Sequence, residues 1–236
     1  MAQDGEDRTL ARRSEVPDLR LATATETEAP EPVSRHASQA RDLPRDHSQA
    51  ILEAAKQVGA LLKRKGHAFA LGGSVAVYAH GGSRNLQHDV DFCVTPDEAE
   101  AVAATLREAC LPVHRPPEDW LLKTTCFGQD VDIIFELAHR PVTPDMLARA
   151  QLIPVDSVHM PVLAPTDLMR SLITAFSEHH CDFGTVLPVA RALREKVHWE
   201  DVRATCGHQP MPAAFLFLLE RLNVIAPKED SEEGQS

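Results

Sequence analysis

Two short stretches of this sequence alternate acidic with apolar residues, and this pattern limits how the chain can fold. The first reads HDVDFCV (88–94) and the second reads GQDVDIIFEL (128–137). Because successive side chains of a β-strand point to opposite faces, each stretch predicts a strand with acids on one face and apolar residues on the other. Asp89 and Asp91 then share a face, as do Asp130 and Asp132, with Cα atoms about 6 to 7 Å apart. The fold must therefore accommodate pairs of like charges on its strands.

A glycine-containing turn precedes the first acidic stretch. The run HAFAL (67–71) predicts a short buried strand, and it leads through Gly72, Gly73 and Ser74 into a short apolar helix. Glycines let a ligand approach the backbone closely, and free N–H groups at the start of a helix favour an anion. The hydroxyl of Ser74 could add a hydrogen bond to a phosphate oxygen. A turn required only for steric reasons explains the two glycines equally well.

Carboxylates this close repel each other unless a cation lies between them. In a dry setting their repulsion raises a pKa, and hard divalent ions such as Mg²⁺ prefer oxygen ligands. An exposed polar face on an edge strand also explains the alternation. If the second acidic strand lies beside the first, one of its acids completes a cluster of three carboxylates. We favour Asp132, which is deeper in the apolar run, over Asp130, which lies beside the predicted turn at Gly128 and Gln129 and is then solvated.

Three carboxylates that hold two metal ions are the arrangement for in-line phosphoryl or nucleotidyl transfer. One metal ion lowers the pKa of the attacking hydroxyl group, and the other neutralises charge on the leaving pyrophosphate. In this interpretation the glycine turn holds the triphosphate, the carboxylates hold the metal ions, and the metal ions join the two. The pattern thus predicts a nucleotide site with Asp89, Asp91 and Asp132 as metal ligands.

The order of these motifs resembles the nucleotidyltransferase superfamily, whose members share the DNA-polymerase-β-like fold. The family pattern is an apolar residue, Gly-Gly or Gly-Ser, then D-x-[DE], and later an acid on a separate strand. Here the corresponding residues lie between Leu71 and Leu137. The short form is similar to bacterial minimal nucleotidyltransferases, including abortive-infection type IV toxins and aminoglycoside nucleotidyltransferases. The resemblance implies an α+β fold, with a small mixed β-sheet packed against helices and an all-α region after it.

The resemblance also implies roles for particular residues. Asp89, Asp91 and Asp132 correspond to the catalytic, Mg²⁺-binding acids. The residues that correspond to the nucleotide-binding positions are Gly72, Gly73, Ser74 and Arg84. For Arg84, an ordinary salt bridge within a loop is an equal alternative. Many relatives carry Thr just before the acids, where this chain has Gln87 and His88.

The domain organisation follows from composition and from the same resemblance. Residues 1–46 and 227–236 are rich in charged and small polar residues and poor in large apolar ones, so we expect disordered tails. Residues 47–163 are expected to form the nucleotidyltransferase domain. Residues 164–226 are expected to form a helical domain.

The remaining element patterns are mostly helical. Ser48 is a plausible N-cap of a helix that ends at Gly66, and Thr95 is expected to cap a second helix. Residues Gln151 to Leu163 predict two short strands. From Pro165 to Asn223 the pattern is helical, with breaks near Asp182, His198 and Pro210.

Four further side chains have competing interpretations. Lys123 could contact a phosphate, but a surface lysine is the favoured interpretation. Asp182 could act as a base for a substrate hydroxyl group, whereas a helix N-cap is favoured. Trp120 and Trp199 are expected to pack rather than to stack on bases.

Charge and composition limit the partners. The net charge of −11 disfavours binding to long duplex nucleic acid. The five cysteines have no CxxC spacing, and the chain contains neither a long apolar run nor a signal-like N-terminus, so we expect a cytoplasmic protein. The expected partners are a nucleoside triphosphate and a hydroxyl acceptor, which could be a tRNA end, a protein side chain or a small molecule. The alternative is a non-catalytic module on the same fold that binds a nucleotide or partner, as an antitoxin or sensor.

Overall fold

The computed structural model describes residues 47–83, 86 and 89–228. The expected N-terminal tail, 1–46, and residues 229–236 of the expected C-terminal tail lie outside the described residues. No helix in the described part of the chain is long and apolar enough to cross a membrane.

The described residues form eight α-helices and nine strands. The helices are α1 His47–Lys65, α2 Gly73–Ala79, α3 Ala99–Glu108, α4 Pro144–Ala148, α5 Pro165–Thr174, α6 Phe183–Leu193, α7 Trp199–Cys206 and α8 Pro210–Arg221. The strands are β1 Ala70–Leu71, β2 Val90–Cys93, β3 Val113–His114, β4 Leu121–Cys126, β5 Gln129–Ile134, β6 Glu136–Leu137, β7 Arg140–Pro141, β8 Gln151–Val155 and β9 Val158–Val162. Helices and strands are mixed as far as β9, and the elements after β9 are all helices.

Seven of the strands form one mixed sheet in the order β3-β4-β5-β2-β1-β9-β8. The pairs β2–β5 and β1–β9 are parallel, and the other neighbouring pairs are antiparallel. Strands β6 and β7 pair separately. This architecture confirms the predicted α+β class with a small mixed sheet and a following all-α region.

Two hydrophobic clusters fill the interior of the described region. The first packs α1, α2 and α3 against the sheet, and the second lies among α5 to α8. In α1 the buried positions recur at helical spacing, which places an apolar stripe on the sheet. Within α5, Leu168 belongs to the first cluster and Met169 to the second. Helix α5 therefore contributes neighbouring side chains to both cores.

Several predicted boundaries are confirmed and two are wrong. Gly66, with a φ of +80°, ends α1 as predicted, and α6 to α8 begin at the predicted breaks. Ser48 is not an N-cap, because α1 already begins at His47 and Ser48 lies within the helix. Thr95 precedes a 3₁₀ turn at Pro96–Glu98 and makes no side-chain capping bond, so α3 begins only at Ala99.

Candidate active site

The two acidic stretches lie side by side in the sheet. In the parallel pairing of β2 with β5, Asp91 is the register partner of Asp132. In-register residues of neighbouring strands are about 4.8 Å apart and project from the same face, so these two carboxylates lie close together. Strand β2 begins at Val90, two residues later than predicted, because pairing with β5 starts there, and Asp89 lies just before it.

Lys123 completes a row of charged side chains across three strands. On β4 it is the register partner of Asp132 in β5. Its Nζ atom lies 2.9 Å from both carboxylate oxygens of Asp132 and 3.6 Å from Oδ2 of Asp89. The Lys123 side chain is 38% exposed, in agreement with the favoured interpretation as a surface lysine, but its ammonium group also neutralises two of the clustered acids.

The sequence did contain a signal for this contact. Strands β4 and β5 form the predicted hairpin, but its two turn residues are Phe127 and Gly128, both with positive φ, rather than Gly128 and Gln129. Counting outward from that two-residue turn pairs Lys123 with Asp132.

The glycine turn lies directly against Asp91. The backbone N–H of Gly72 donates a hydrogen bond of 2.8 Å to the carbonyl oxygen of Asp91. Gly73 has a φ of +54°, and a Cβ atom at this position would lie 1.7 Å from Oδ2 of Asp91. Only glycine fits here, because any side chain would collide with the carboxylate and strain the backbone. The turn and the acidic strand therefore form one compact unit.

Ser74 presents an unsatisfied polar atom next to this unit. Its Oγ atom is buried and has no hydrogen-bond partner among the described residues. Buried hydroxyl groups are usually hydrogen-bonded, so a lone one beside a cleft is available for a ligand oxygen. Ser74, Gly73 and Asp91 all line the same cleft, which has a volume of about 560 Å³.

The environment shifts the protonation of the clustered groups. Burial, reinforced by the charges of Asp132 and Asp89, raises the pKa of Asp91 to about 7. Burial also raises the pKa of Asp132, although Lys123 opposes that shift. Partial burial disfavours the charged form of Lys123, yet hydrogen bonds and charges from the surrounding aspartates raise its pKa above the ordinary value. The cluster therefore holds more negative charge than its one lysine neutralises, a setting that favours an additional cation.

The chemistry of the donor set suits a hard divalent ion, since all three acids offer oxygen ligands. Among the described residues, no three acidic, histidine or cysteine side chains are already arranged around a single point for a metal ion. Lys123 instead contacts the oxygens of Asp132 that an ion would use. Binding of an ion to all three acids therefore requires the ammonium group of Lys123 to move away.

The other predicted residues have different positions and outcomes. Asp130 is exposed and pairs with Thr125 near the hairpin turn, and its charge still contributes to the raised pKa values of Lys123 and Asp132. Asp182 is the N-cap of α6, as the favoured interpretation had it, and its carboxylate accepts hydrogen bonds from the backbone N–H and the hydroxyl group of Thr185. Arg84, the predicted phosphate contact, lies outside the described residues.

Trp120 is a side chain whose position the sequence did not reveal. It was expected to pack rather than to stack on bases, and the residue is 37% exposed and lines the cleft that Asp91 also lines. No periodic pattern marks it, because Trp120 lies in the loop that precedes β4.

Comparisons with known proteins agree with this architecture. No protein-family model matches the chain, and no curated protein sequence matches it significantly. The solution structure of the antibiotic-resistance factor ANT(2″)-Ia is similar, with a TM-score of 0.50 and 10% identity over 75% of this chain and 96% of that chain. The crystal structure of ANT(2″)-Ia with adenylyl-2″-tobramycin gives a TM-score of 0.49 and 11% identity over 71% of this chain and 97% of that one.

A more distant match is a tRNA nucleotidyltransferase bound to a primer tRNA and an incoming ATP analogue. Its TM-score is 0.30 and its identity 15%, over 76% of this chain and 63% of that chain. At such low identities the similarity concerns the fold alone. The chain has the fold found in nucleotidyltransferases.

Proposed function

We propose that this chain is a metal-dependent nucleotidyltransferase. It binds a nucleoside triphosphate with Mg²⁺, transfers the nucleoside monophosphate to a hydroxyl acceptor, and releases pyrophosphate. The observation that carries this proposal is the in-register pair Asp91 and Asp132 beside the glycine turn. Asp91 lies so close to this turn that no side chain fits at Gly73. Enzymes of this reaction class use carboxylates to hold metal ions, and these ions contact the nucleotide phosphates.

The acids have distinct assignments in the proposal. Asp89, Asp91 and Asp132 hold Mg²⁺, which supplies charge neutralisation on the phosphates and a lower pKa for the attacking hydroxyl group. Gly72, Gly73 and Ser74 hold the phosphates, supported by the unpaired hydroxyl group of Ser74 and by the position of Gly73 and Ser74 on the cleft. Arg84 is assigned to a phosphate on the basis of its sequence position.

In the proposed transfer step, each bond that forms or breaks and the proton that moves are accounted for. The hydroxyl oxygen of the acceptor attacks the α-phosphorus, and the bond from that phosphorus to the bridging oxygen breaks, so that pyrophosphate leaves. Asp132 takes up the proton of the hydroxyl group. Burial, which raises the pKa of Asp132, makes this carboxylate a stronger base than an exposed one.

We also propose that residues 47–163 form the nucleotidyltransferase domain and residues 164–226 a helical domain, with the protein acting in the cytoplasm. The two hydrophobic clusters support this division, since they meet between Leu168 and Met169, close to the proposed boundary.

The direct test uses labelled nucleoside triphosphates, Mg²⁺ and a bacterial lysate as the source of acceptors. We expect one molecule to take up the label while pyrophosphate is released. Asp89→Asn, Asp91→Asn and Asp132→Asn should each lower transfer at least about a hundredfold, because each removes a charged metal ligand. The exposed Asp145→Asn, on α4, is the matched control and should retain transfer.

Two outcomes would contradict the proposal. Full turnover by Asp89→Asn with normal circular dichroism would reject the metal-site assignment. Nucleotide binding seen by calorimetry, with no pyrophosphate release across many acceptors, would instead indicate a non-catalytic binding module. The contact of Lys123 with Asp89 and Asp132 gives that second candidate its support.

A further inference from the structure

The cleft next to the acidic cluster has largely apolar walls. One part of its lining, on β5 and the segments that flank β4 and β5, contains Trp120, Ile134 and Leu137, and the part on α5 and α6 contains Leu168, Leu172 and Val189. An indole that is 37% exposed inside a concave apolar surface offers a flat face for a ligand. A volume of about 560 Å³ is typical of a small-molecule site.

The charges in the cleft argue against highly charged acceptors. Among the described residues, the titratable groups of the lining are the carboxyl groups of Asp91 and Glu136 and the imidazole of His139, with no lysine or arginine. A nucleic acid needs basic side chains opposite its phosphates, and here the whole chain carries a net charge of −11. A polycation needs several free carboxylates, but Asp91 belongs to the metal and phosphate end, which leaves only Glu136. The lining therefore fits a molecule with at most one positive charge.

The placement of the apolar wall assigns it to the acceptor rather than to the phosphates. Ile134 lies two residues beyond Asp132 on the same face of β5, so their Cα atoms are about 6 to 7 Å apart. Gly73 and Ser74 line the same cleft through a different element, α2. A molecule resting on Trp120 and Ile134 can thus present a hydroxyl group to Asp132 while the phosphates lie at Ser74.

We infer that this cleft binds the acceptor and that the acceptor is a small, uncharged alcohol with an aromatic or other apolar group. The inference rests on the proposed function, since it names the substrate class of that reaction. It excludes tRNA ends and polycationic aminoglycosides, because neither finds complementary charge on the lining.

The two tryptophans of the chain allow a binding test that needs no turnover. The indole N–H of Trp199 donates to the carbonyl oxygen of Arg194, and Trp199 does not line the cleft. In Trp199→Phe, the fluorescence of Trp120 alone reports on the cleft. Three hydroxyl-bearing probes of different charge are titrated: phenyl β-D-glucoside, tobramycin and a tRNA acceptor-stem hairpin.

We expect a saturable fluorescence change with the glucoside only. Ala175→Glu, which adds a charge to the cleft, should weaken glucoside binding at least about tenfold, whereas Ala214→Glu should not. Both alanines are exposed, and Ala214 lies on α8 outside the lining. No response to the glucoside, a saturable response to tobramycin or the hairpin, or displacement of the glucoside by adenosine would overturn the inference. Because no nucleotide is consumed, this result is independent of whether the protein transfers a nucleoside monophosphate.

Discussion

Among single residues, Gly73 has the least freedom to change. A side chain there meets Oδ2 of Asp91 at 1.7 Å and requires a φ of +54°. Gly128 has a φ of +72° with nothing within 4 Å of its hypothetical Cβ atom, so it carries the backbone requirement without the collision. A comparison of substitutions at the two glycines therefore separates the cost of backbone strain from the cost of a steric collision.

We predict that Gly73→Ala lowers the free energy of unfolding by more than about 2 kcal/mol, whereas Gly128→Ala costs about 1 kcal/mol. Urea unfolding followed by circular dichroism measures both changes. Gly73→Ala should also abolish nucleotidyl transfer, because Asp91 must shift to admit the methyl group. Equal losses of stability in the two variants would show that Asp91 does not occupy the space beside Gly73.

Lys123 is expected to compete with the metal ion for the same oxygens. Replacing it in Lys123→Met should tighten Mg²⁺ binding about tenfold, because unit charges about 4 Å apart interact by several kcal/mol even with substantial screening. Isothermal calorimetry of the nucleotide-free protein measures the affinity. Lys65→Met, which removes an exposed pair with Glu108, is the control and should bind Mg²⁺ like the wild type. Weaker Mg²⁺ binding by Lys123→Met would show that the lysine supports the ion instead.

Residue chemistry was readable from the sequence where a local rule applied. The alternation around Asp91 and Asp132 predicted their shared sheet face, and the glycines before β2 predicted the turn. The contact of Lys123 could be derived only after the hairpin turn had been placed at Phe127 and Gly128. The position of Trp120 depends on how the chain approaches β4, which no local pattern encodes.

Among the elements, the β4–β5 hairpin was predictable because a short turn joins two strands that follow each other directly. For the parallel pairing of β2 with β5, the sequence allowed only a conditional prediction, that a third acid joins the cluster if the two strands are neighbours. Since α3, β3 and β4 lie between them in the chain, the length of the connection does not specify the register. The starts of α1 and α3 were wrong by a few residues, because capping residues are permissive signals rather than fixed boundaries.

His80 connects three elements through two hydrogen bonds. It follows α2, and its Nε2 atom donates a hydrogen bond of 2.8 Å to the carbonyl oxygen of Leu163, which follows β9. Its own carbonyl oxygen accepts a hydrogen bond from Nζ of Lys196, which follows α6. Burial, with a smaller contribution from the positive charge of Lys196, lowers the pKa of the His80 imidazole below its ordinary value. The folded protein therefore favours the neutral ring at this junction.

We predict that stability falls with acidification because of this histidine. Below an unfolded pKa of about 6.5, the unfolded chain binds a proton at His80 more readily than the folded chain does. The contribution of His80 to the free energy of unfolding is fully present above that pH, and it is lost as the pH falls through the lower pKa of the folded protein. His80→Gln, which retains an N–H donor, should flatten the dependence of the urea midpoint between about pH 7 and pH 5. An unchanged slope would assign the acid sensitivity to other groups.

For the whole molecule, net charge is the property that decides its long-range partners. A chain with a charge of −11 repels a polyanion, and association with DNA depends on basic side chains that release counterions. We predict no binding of a labelled random-sequence duplex at physiological salt, measured by fluorescence anisotropy. Saturable binding that weakens steeply with added salt would reveal a basic surface large enough to offset the net charge.

The parallel pairing of β2 with β5 has a consequence for protein synthesis. When the chain has been synthesised only as far as β2, it contains the glycine turn and the first two acids, but it does not yet contain Asp132. The pairing that brings them together is non-local, and such contacts form late because a long loop must close first. Prematurely terminated products that end before β5 therefore lack Asp132 and, under the proposed function, should not transfer a nucleotide.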